Sequence, residues 1–341
     1  MSFSNGTNTG TLHVAQALTD LAVAYTPSSD GFLRDKFFPR KDVAHLTDKI
    51  RQIDKSNSLL LHDLKVGNDG RVPEVQYRIT TDLTYSCQAY GAEVVVGDMD
   101  TGNADAALEH EQRQMQHGLM TMTTALEKVA VAALRDTGTL TNNQTQTAAQ
   151  RWDNFTSASS DPIGDLLAAR TLVAARTGGH APNRLALSEW TWNAISTHPN
   201  VLERVKFQTG SAGSILTTKI LADILRMQES AIMITAQTYN SAAQGATAAY
   251  KSFLGSDVVL AYCEDGGRYD YSLGHEFAFS GYGSAPVVVV KYRDEKRGGL
   301  LGANVIRIGS IVDFKVTQPD AAYLFKTVLD TSNAAYGSFV D

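Results

Sequence analysis

Apolar positions along this chain alternate between helical and strand spacing, and the order of those stretches predicts the elements. Leu108, Met115, Leu119, Met122, Leu126 and Val129 follow steps of seven, four, three, four and three, which lays one stripe down a single helical face. Between Ala104 and Arg135 there is no Pro and only one Gly, Gly118, with Asn103 as a cap and Thr137-Gly138 as a stop. A rod of roughly 48 Å is expected. A second amphipathic helix opens at Asp161-Pro162 and stops at Gly178-Gly179, with Asp161 as N-cap and Asp165 favourable to the dipole. A short strand at 184–187 follows, then a helix through Trp192 that His198-Pro199 ends, and a further helical pattern at 215–227.

Strand spacing dominates elsewhere. Val75, Tyr77 and Ile79 alternate with Gln76, Arg78 and Thr80, and LTYSCQAYGAEVVVGD continues the pattern after a turn expected near Thr81-Asp82. A long β-hairpin over 71–100 results, and a hairpin alone is marginal in water, so it needs a surface to lie on. AIMITAQTY and DVVLAYC read as buried strands, with further strands at 277–279, 286–292, 304–308 and 311–316 and an apolar tail at 323–328. Residues 1–30 form a polar arm around one apolar-periodic stretch at 12–25. Phe32, Leu33, Phe37 and Phe38 crowd together before Pro39 and read as a docking anchor, while the polar stretch 139–160 reads as a surface connection. No period of 20–50 residues recurs, which argues against a solenoid or propeller.

Composition narrows the function classes. With 341 residues, a hydrophobic fraction of 43% and a charged fraction of 19%, the chain has enough apolar material for two lobes or one elaborated fold. Its 30 basic and 36 acidic side chains leave a net charge of −6, opposite in sign to a protein that grips phosphates for its living. No apolar run approaches the roughly 20 residues that cross a bilayer. The N-terminus lacks a basic segment followed by an apolar block, so it does not read as a secretory signal. Cys87 and Cys263 are far apart and form no CxxC pair, as expected of core residues made in a reducing compartment.

Candidate chemistry is incomplete at each place it arises. His110-Glu111 and His275-Glu276 each begin an HExxH motif, but Gln114 and Phe279 stand where the second imidazole belongs. His110 and His117 share a helical face without a third ligand. No GxSxG elbow occurs, and Gly210-Ser211-Ala212-Gly213-Ser214 lacks the Gly-Lys-Ser/Thr ending of a phosphate loop. Asp98 with Asp100 and Glu264 with Asp265 could serve acid–base chemistry if buried together, yet both sit in turn-like contexts. The mixed charges of KYRDEKRGG at 291–299 read as an intersubunit salt-bridge loop and not as a one-signed nucleic-acid surface. Trp152, Trp190 and Trp192 read as core or interface anchors.

Five stretches, in order, resemble tailed-phage major capsid proteins: DKFFPRKDV at 35–43, ALEKVAVAAL at 125–134, DPIGDLLAAR from Asp161, GGHAPNRLALSEWTWNAISTHPNVLERV from Gly178, and VVLAYCEDG at 258–266. The resemblance implies an α+β, HK97-like capsid fold with an N-terminal arm, an extended β-hairpin (E-loop), a long spine helix with a peripheral domain, and an α/β axial domain. The corresponding segments are 1–70 for the arm and lead-in, 71–102 for the hairpin, 103–180 for the peripheral domain, 181–290 for the axial domain and 291–341 for strands returning to the peripheral domain. It implies no catalytic residue, cofactor or metal, and self-assembly into hexamers and pentamers of an icosahedral or prolate head around double-stranded DNA, bound without sequence specificity. It also implies a separate scaffolding protein, a portal, a decoration protein, and a place in the virion after synthesis in the host cytoplasm, with no membrane partner. The expected intersubunit contacts are Phe37, Phe38, Gln76, Tyr77, Arg78, Tyr85, Lys291, Arg293, Asp294, Glu295, Lys296 and Arg297. Some members weld subunits through a lysine–asparagine bond near the hairpin tip; a tip at 80–84 has no lysine, so a non-crosslinked shell is expected. The alternative is an α/β hydrolase-like or ligand-binding enzyme with an unrecognised acidic site, active as a small oligomer.

Overall fold

The computed structural model describes residues 31–53, 59–62, 64–66, 72, 74–75, 79–99, 107–209, 215–243, 245–264, 271–281, 287–298 and 300–332. The arm at 1–30, together with Gln76, Tyr77 and Arg78 and the Gly210–Gly213 loop, lies outside them.

The chain enters through a one-turn helix α1 (Arg34–Phe37), strand β1 (Arg40–Val43) and strand β2 (Thr47–Ile53). Strands β3 (Ile79–Ser86) and β4 (Gln88–Gly97) then lead to the spine helix α2 (Ala107–Leu134). At 28 residues this helix is about 42 Å long. Its predicted stripe is buried at Met115, Leu119, Met122 and Leu126, but Val129 is 37% exposed and the buried face passes instead through Ala130, Val131 and Leu134. Gly118 is where the spine meets the sheet: a Cβ there would stand 2.6 Å from a Val94 methyl and 2.9 Å from one of Ile308. The one glycine of the helix therefore sets how closely helix and sheet approach.

That sheet is built on β13 (Ala303–Val316), one strand where the pattern had suggested two, because Gly309 and Ser310 stay in the ladder opposite Gly91 and Tyr90. β4 lies antiparallel along one edge; β12 (Val288–Asp294) and then β11 (Gly274–Phe279) lie antiparallel along the other, and β1 adds in parallel outside β11.

The hairpin is organised differently from the sequence expectation. Ile79–Ser86 is a single strand running straight through Thr81 and Asp82, and its partner is Thr47–Ile53, pairing from Thr47 opposite Ser86 to Ile53 opposite Ile79 with a one-residue register shift between Ile50 and Gln52. The turn expected at Thr81-Asp82 does not exist. Thr81 and Asp82 follow Ile79 with β-compatible alternation, and the partner strand TDKIRQI, with only Ile50 and Ile53 apolar, was hidden by its charges. The connection between the two strands is residues 54–78, which contains Lys55 and Lys65, so the reason for expecting a lysine-free tip falls away.

A second sheet runs β5 (Asn143–Thr145), β14 (Ala322–Lys326), β10 (Val258–Ala261), β6 (Arg184–Ser188), β7 (Ile232–Thr235). Every residue of β10 is buried. Helices α3 (Pro162–Arg176), α4 (Glu189–Thr197), α5 (Pro199–Thr209) and α6 (Thr218–Leu225) pack a second core around Trp152, Leu166, Ile195, Val201, Leu221 and Phe325. As expected, Asp161 caps α3, accepting from Gly164 N at 3.1 Å. A small ribbon, β8 (Thr238–Asn240) with β9 (Tyr250–Ser252), completes the strands. Late strands thus serve both sheets: β13 is the axis of the first, and β14 sits inside the second.

The 139–160 stretch is more than a surface connection. It supplies β5, and its Trp152 is fully buried, tilted on Phe325 at 5.5 Å and donating its indole N–H to Asp165 at 2.9 Å.

Candidate assembly surface

Catalysis is tested first by the pair most like a nucleophile and base. Ser160 Oγ lies 3.0 Å from His198 Nε2, and both residues are buried. The hydroxyl, however, donates to the carbonyl of Arg151 at 2.8 Å, while His198 Nδ1 accepts from Asn200 N at 3.2 Å. That assigns the proton to Nε2, so the imidazole gives a hydrogen bond to the serine instead of taking one. Burial lowers the His198 pKa, which keeps the ring neutral. The pair is a latch holding the α3 entry against α5. Of the HE pairs, Glu111 forms an ion pair with Lys291, and Glu276 is buried beside Arg34 at 3.4 Å. Asp98 pairs with Arg293 at 2.7 Å, and its companion Asp100 lies outside the described residues, as does Asp265. Among the described residues no three His, Cys, Asp or Glu side chains are grouped to hold a metal, and no helix is long and apolar enough to cross a membrane.

Several expected contact residues turn out to be internal. Phe37 and Phe38 are 0% exposed; Phe38 meets Phe314 edge-on at 5.7 Å, and the Phe37 carbonyl accepts from the Cys263 thiol. They anchor the entry segment to its own core and are unavailable to a neighbour. Tyr85 is likewise buried, stacked on Phe277 at 4.7 Å with 3° between the planes. It seats the β2–β3 ribbon on the first sheet, together with Val43 and Ile50 and with hydrogen bonds from Ser86 N to Asp313 at 2.9 Å and from Gln52 to the Thr317 carbonyl at 2.9 Å. A satellite core this small makes the ribbon an appendage set on the body.

Four of the 291–297 charges, Lys291, Arg293, Asp294 and Arg297, are paired inside the chain. Lys291 meets Glu111; Arg293 meets Asp98; Arg297 reaches Glu93 at 2.6 Å and Asp294 at 3.5 Å. Glu93 also takes Arg307, and this double guanidinium contact pulls its pKa down to about 2. Glu295 and Lys296 are exposed at the turn. These pairs join β4, β12 and β13 at one end of the first sheet, so the charges of Lys291, Arg293, Asp294 and Arg297 find partners within the chain.

A residue the sequence reading passed over holds the entry segment. Glu127, on the spine, is 1% exposed and accepts backbone N–H groups from Leu33 at 2.7 Å and Arg34 at 3.1 Å. Burial raises its pKa while those two donors oppose the rise. The available signal was a lone carboxylate next to Leu126 on an apolar stripe. Glu127→Ala leaves one buried and one half-buried donor unsatisfied, and we expect a loss of about 2 kcal/mol with faster amide exchange confined first to residues 31–38; unchanged exchange there would refute the anchoring role.

Large apolar side chains are exposed as well. Leu59, Leu60, Leu61, Leu64, Val66, Val72, Val75 and Ile79 are each between 47% and 96% exposed along the ribbon and its connection. At the turn between β12 and β13, Leu300 is 94% and Leu301 57% exposed. Several large apolar side chains exposed within a few positions of one another, as at Leu59, Leu60, Leu61 and Leu64, point to an interaction site.

Comparisons with known proteins agree with this architecture. No family model and no curated protein matches the chain. Among solved structures, a phage-related protein from Bordetella bronchiseptica RB50 aligns with a TM-score of 0.69 and 22% identity over 92% of this chain and 97% of that one. A virus-like particle from Pyrococcus furiosus aligns at 0.51 and 12% over 91% and 97%. A putative capsid protein of a prophage from E. coli CFT073 aligns at 0.50 and 12% over 92% and 98%. With its spine helix laid on a sheet, its two-stranded extension and its second α/β lobe, the chain has the HK97-like α+β fold that these capsid and particle proteins represent.

Proposed function

We propose that this chain is a shell-forming major capsid protein, assembling as hexamers and pentamers into an icosahedral or prolate phage head around double-stranded DNA. The observation that carries the reading is the combination of a capsid fold over nine-tenths of the chain with an extension whose apolar side chains are left uncovered. One chain must fit slightly different neighbours around a closed lattice, which favours a stiff body with appendages that adjust at each contact. Here the body is the two sheets with the spine. The appendages are the β2–β3 ribbon with its 54–78 connection and the arm, and the 71–102 boundary drawn for the extension moves upstream to include β2. Many weak contacts per subunit sum to a stable shell. The net charge of −6 suits an inner wall that must not retain packed DNA. On this reading the protein resides in the virion after synthesis in the host cytoplasm, and a separate scaffolding protein, a portal and a decoration protein are its companions. Among the described residues, the buried Ser160–His198 pair is a latch with its proton already committed and lends the enzyme alternative no support.

Electron microscopy and sedimentation of the purified full chain test the proposal. Closed particles of megadalton size are expected, lost when residues 54–78 are replaced by a short Gly-Ser linker. A folded chain that stays monomeric at high concentration would overturn it.

A further inference from the structure

Strand β4 leaves the first sheet with an open edge. Among the described residues its ten positions pair with β13 and with no other strand. The ladder fixes which way its backbone groups point. Asp98 N donates to the Gly302 carbonyl at 3.1 Å, and a Cβ at Gly91 would stand 3.3 Å from the Ile308 carbonyl oxygen, as one at Gly309 would stand 3.4 Å from that of Tyr90. Those carbonyls point across the ladder. Even-numbered residues of β4 therefore exchange hydrogen bonds with β13, and Ala89, Gly91, Glu93 and Val95 turn their N–H and C=O groups to the open side. All four are exposed. Edges are normally guarded by lysine, proline or a bulge. QAYGAEVVVG has none of these and runs in unbroken register, and its one charge, Glu93, is held by Arg297 and Arg307.

The edge is complementary to itself. Turned about a two-fold axis through Ala92, Tyr90 of one copy meets Val94 of the other, an aromatic against a β-branched side chain, while Ala89 meets Val95 and Glu93 meets Gly91. An axis one residue further on would set Glu93 against Glu93. The spine fits the same operation. Gly118 meets both Val94 and Ile308, so α2 lies across β4 and β13 with its axis about half a strand spacing inside β4. A two-fold axis half a spacing outside β4 puts two such helices roughly 10 Å apart, the distance at which helices pack. A lone strand from another source would complete the ladder and leave that helix flank bare; a second copy covers both at once.

Resting on the shell reading above, we infer that β4 of one copy pairs antiparallel with β4 of a second copy across a two-fold axis at Ala92, joining two first sheets into one. The contact is isologous, the same edge on both partners.

Cysteine pairing in assembled material tests this. Ala92 would face its own counterpart at a non-hydrogen-bonded position, where side chains are close enough to bridge. Ala92→Cys in the full chain, assembled and oxidised, is expected to run as disulfide-linked dimers on denaturing non-reducing gels. Val95→Cys, facing Ala89, is expected to stay monomeric like the wild type, whose Cys87 is half-buried and Cys263 buried. Particles that form normally while Ala92→Cys yields no dimer overturn the inference and leave the shell reading standing, as do dimers from Val95→Cys alone. A wild type that forms no particles sinks the shell reading and this inference with it. Charge reversal is the second arm. Ala89→Lys with Val95→Lys sets lysines opposite each other on both sides of the axis and is expected to abolish particles, whereas Ala89→Lys with Val95→Glu is expected to restore them, both with the melting temperature of the dilute chain unchanged. Equal assembly by the two variants overturns the inference. Amide exchange at Gly91 and Glu93 is expected to be fast in the dilute chain and slow in particles; slow exchange already in the monomer means that the chain's own residues cover the edge, which also overturns it.

Discussion

Replacing Asp257 with Ala is expected to destabilise the subunit by about 3 kcal/mol, a fall in melting temperature of roughly 4 °C for a chain of this size. Asp257 is 1% exposed and gathers three donors: Arg135 Nε at 2.6 Å, Lys326 Nζ at 3.2 Å and Thr327 N at 3.2 Å. Arg135 also donates to the Phe253 carbonyl at 3.1 Å. One carboxylate therefore ties the end of the spine helix to the end of β14, joining the first sheet's helix to the second sheet. Removing it leaves two cations facing each other beside the core, and breaking a buried pair costs several kcal/mol because the remaining charge is uncompensated. The two side chains are 28% and 26% exposed, so water recovers part of that cost. Arg135→Met is the informative companion: Lys326 still neutralises the carboxylate, and less than half the loss is expected. Urea unfolding of the dilute, unassembled chain measures both. Equal losses for the two variants, or a loss under about 1 kcal/mol for Asp257→Ala, would show that the carboxylate is not the joint described here.

That joint shows where the sequence was silent. Elements whose evidence is local were legible: the spine stripe through Met115, Leu119, Met122 and Leu126, the Asp161 cap with Pro162, and the all-apolar β10 each follow from side chains a few positions apart. Pairings across long separations were not. Thr47–Ile53 carries three charged residues in seven and resembles a solvated segment, yet Ile50 faces Tyr85 and Phe277 across the ribbon base, so the hairpin was placed one strand too late. Three of the expected contact residues are internal for a related reason. Phe37, Phe38 and Tyr85 are the aromatic type that interfaces favour, but the same chemistry favours cores, and only the fold decides between them. The clustered charges of 291–297 read as an intersubunit salt-bridge loop, while the partners of Lys291, Arg293 and Arg297 are Glu111, Asp98 and Glu93, roughly two hundred positions away in the same chain. What the sequence could have offered is LLLHDLKV at 59–66, an apolar run in a polar neighbourhood, passed over because it lacks strand alternation.

The ribbon's seat should also respond to pH through His275. Its ring is fully buried on the face of β11 that carries Phe277, beneath the Tyr85 stack, with Lys315 opposite it in register and Lys41 close enough to disfavour its charge. Burial first, and Lys41 second, push its pKa down to about 4 from an ordinary 6.5. The unfolded chain therefore takes up this proton before the folded one as pH falls. The stability it supports is intact above about pH 6.5 and declines to a loss of about 3 kcal/mol near pH 4. Glu127 and Glu276 act in the opposite sense, because burial raises their pKa values and protonating them relieves the folded state. The net acid response of the wild type is thus a difference of opposed terms, and subtraction isolates the histidine. His275→Leu keeps a side chain of similar bulk and cannot titrate. Measured by urea unfolding between pH 7 and pH 4.5, the wild type should lose about 2 to 3 kcal/mol relative to the variant, and amide exchange of β3 in the wild type should rise over the same interval. Parallel stability curves for the two proteins would mean that His275 is charged or solvated in the folded chain, and the ribbon would then have no acid-sensitive seat.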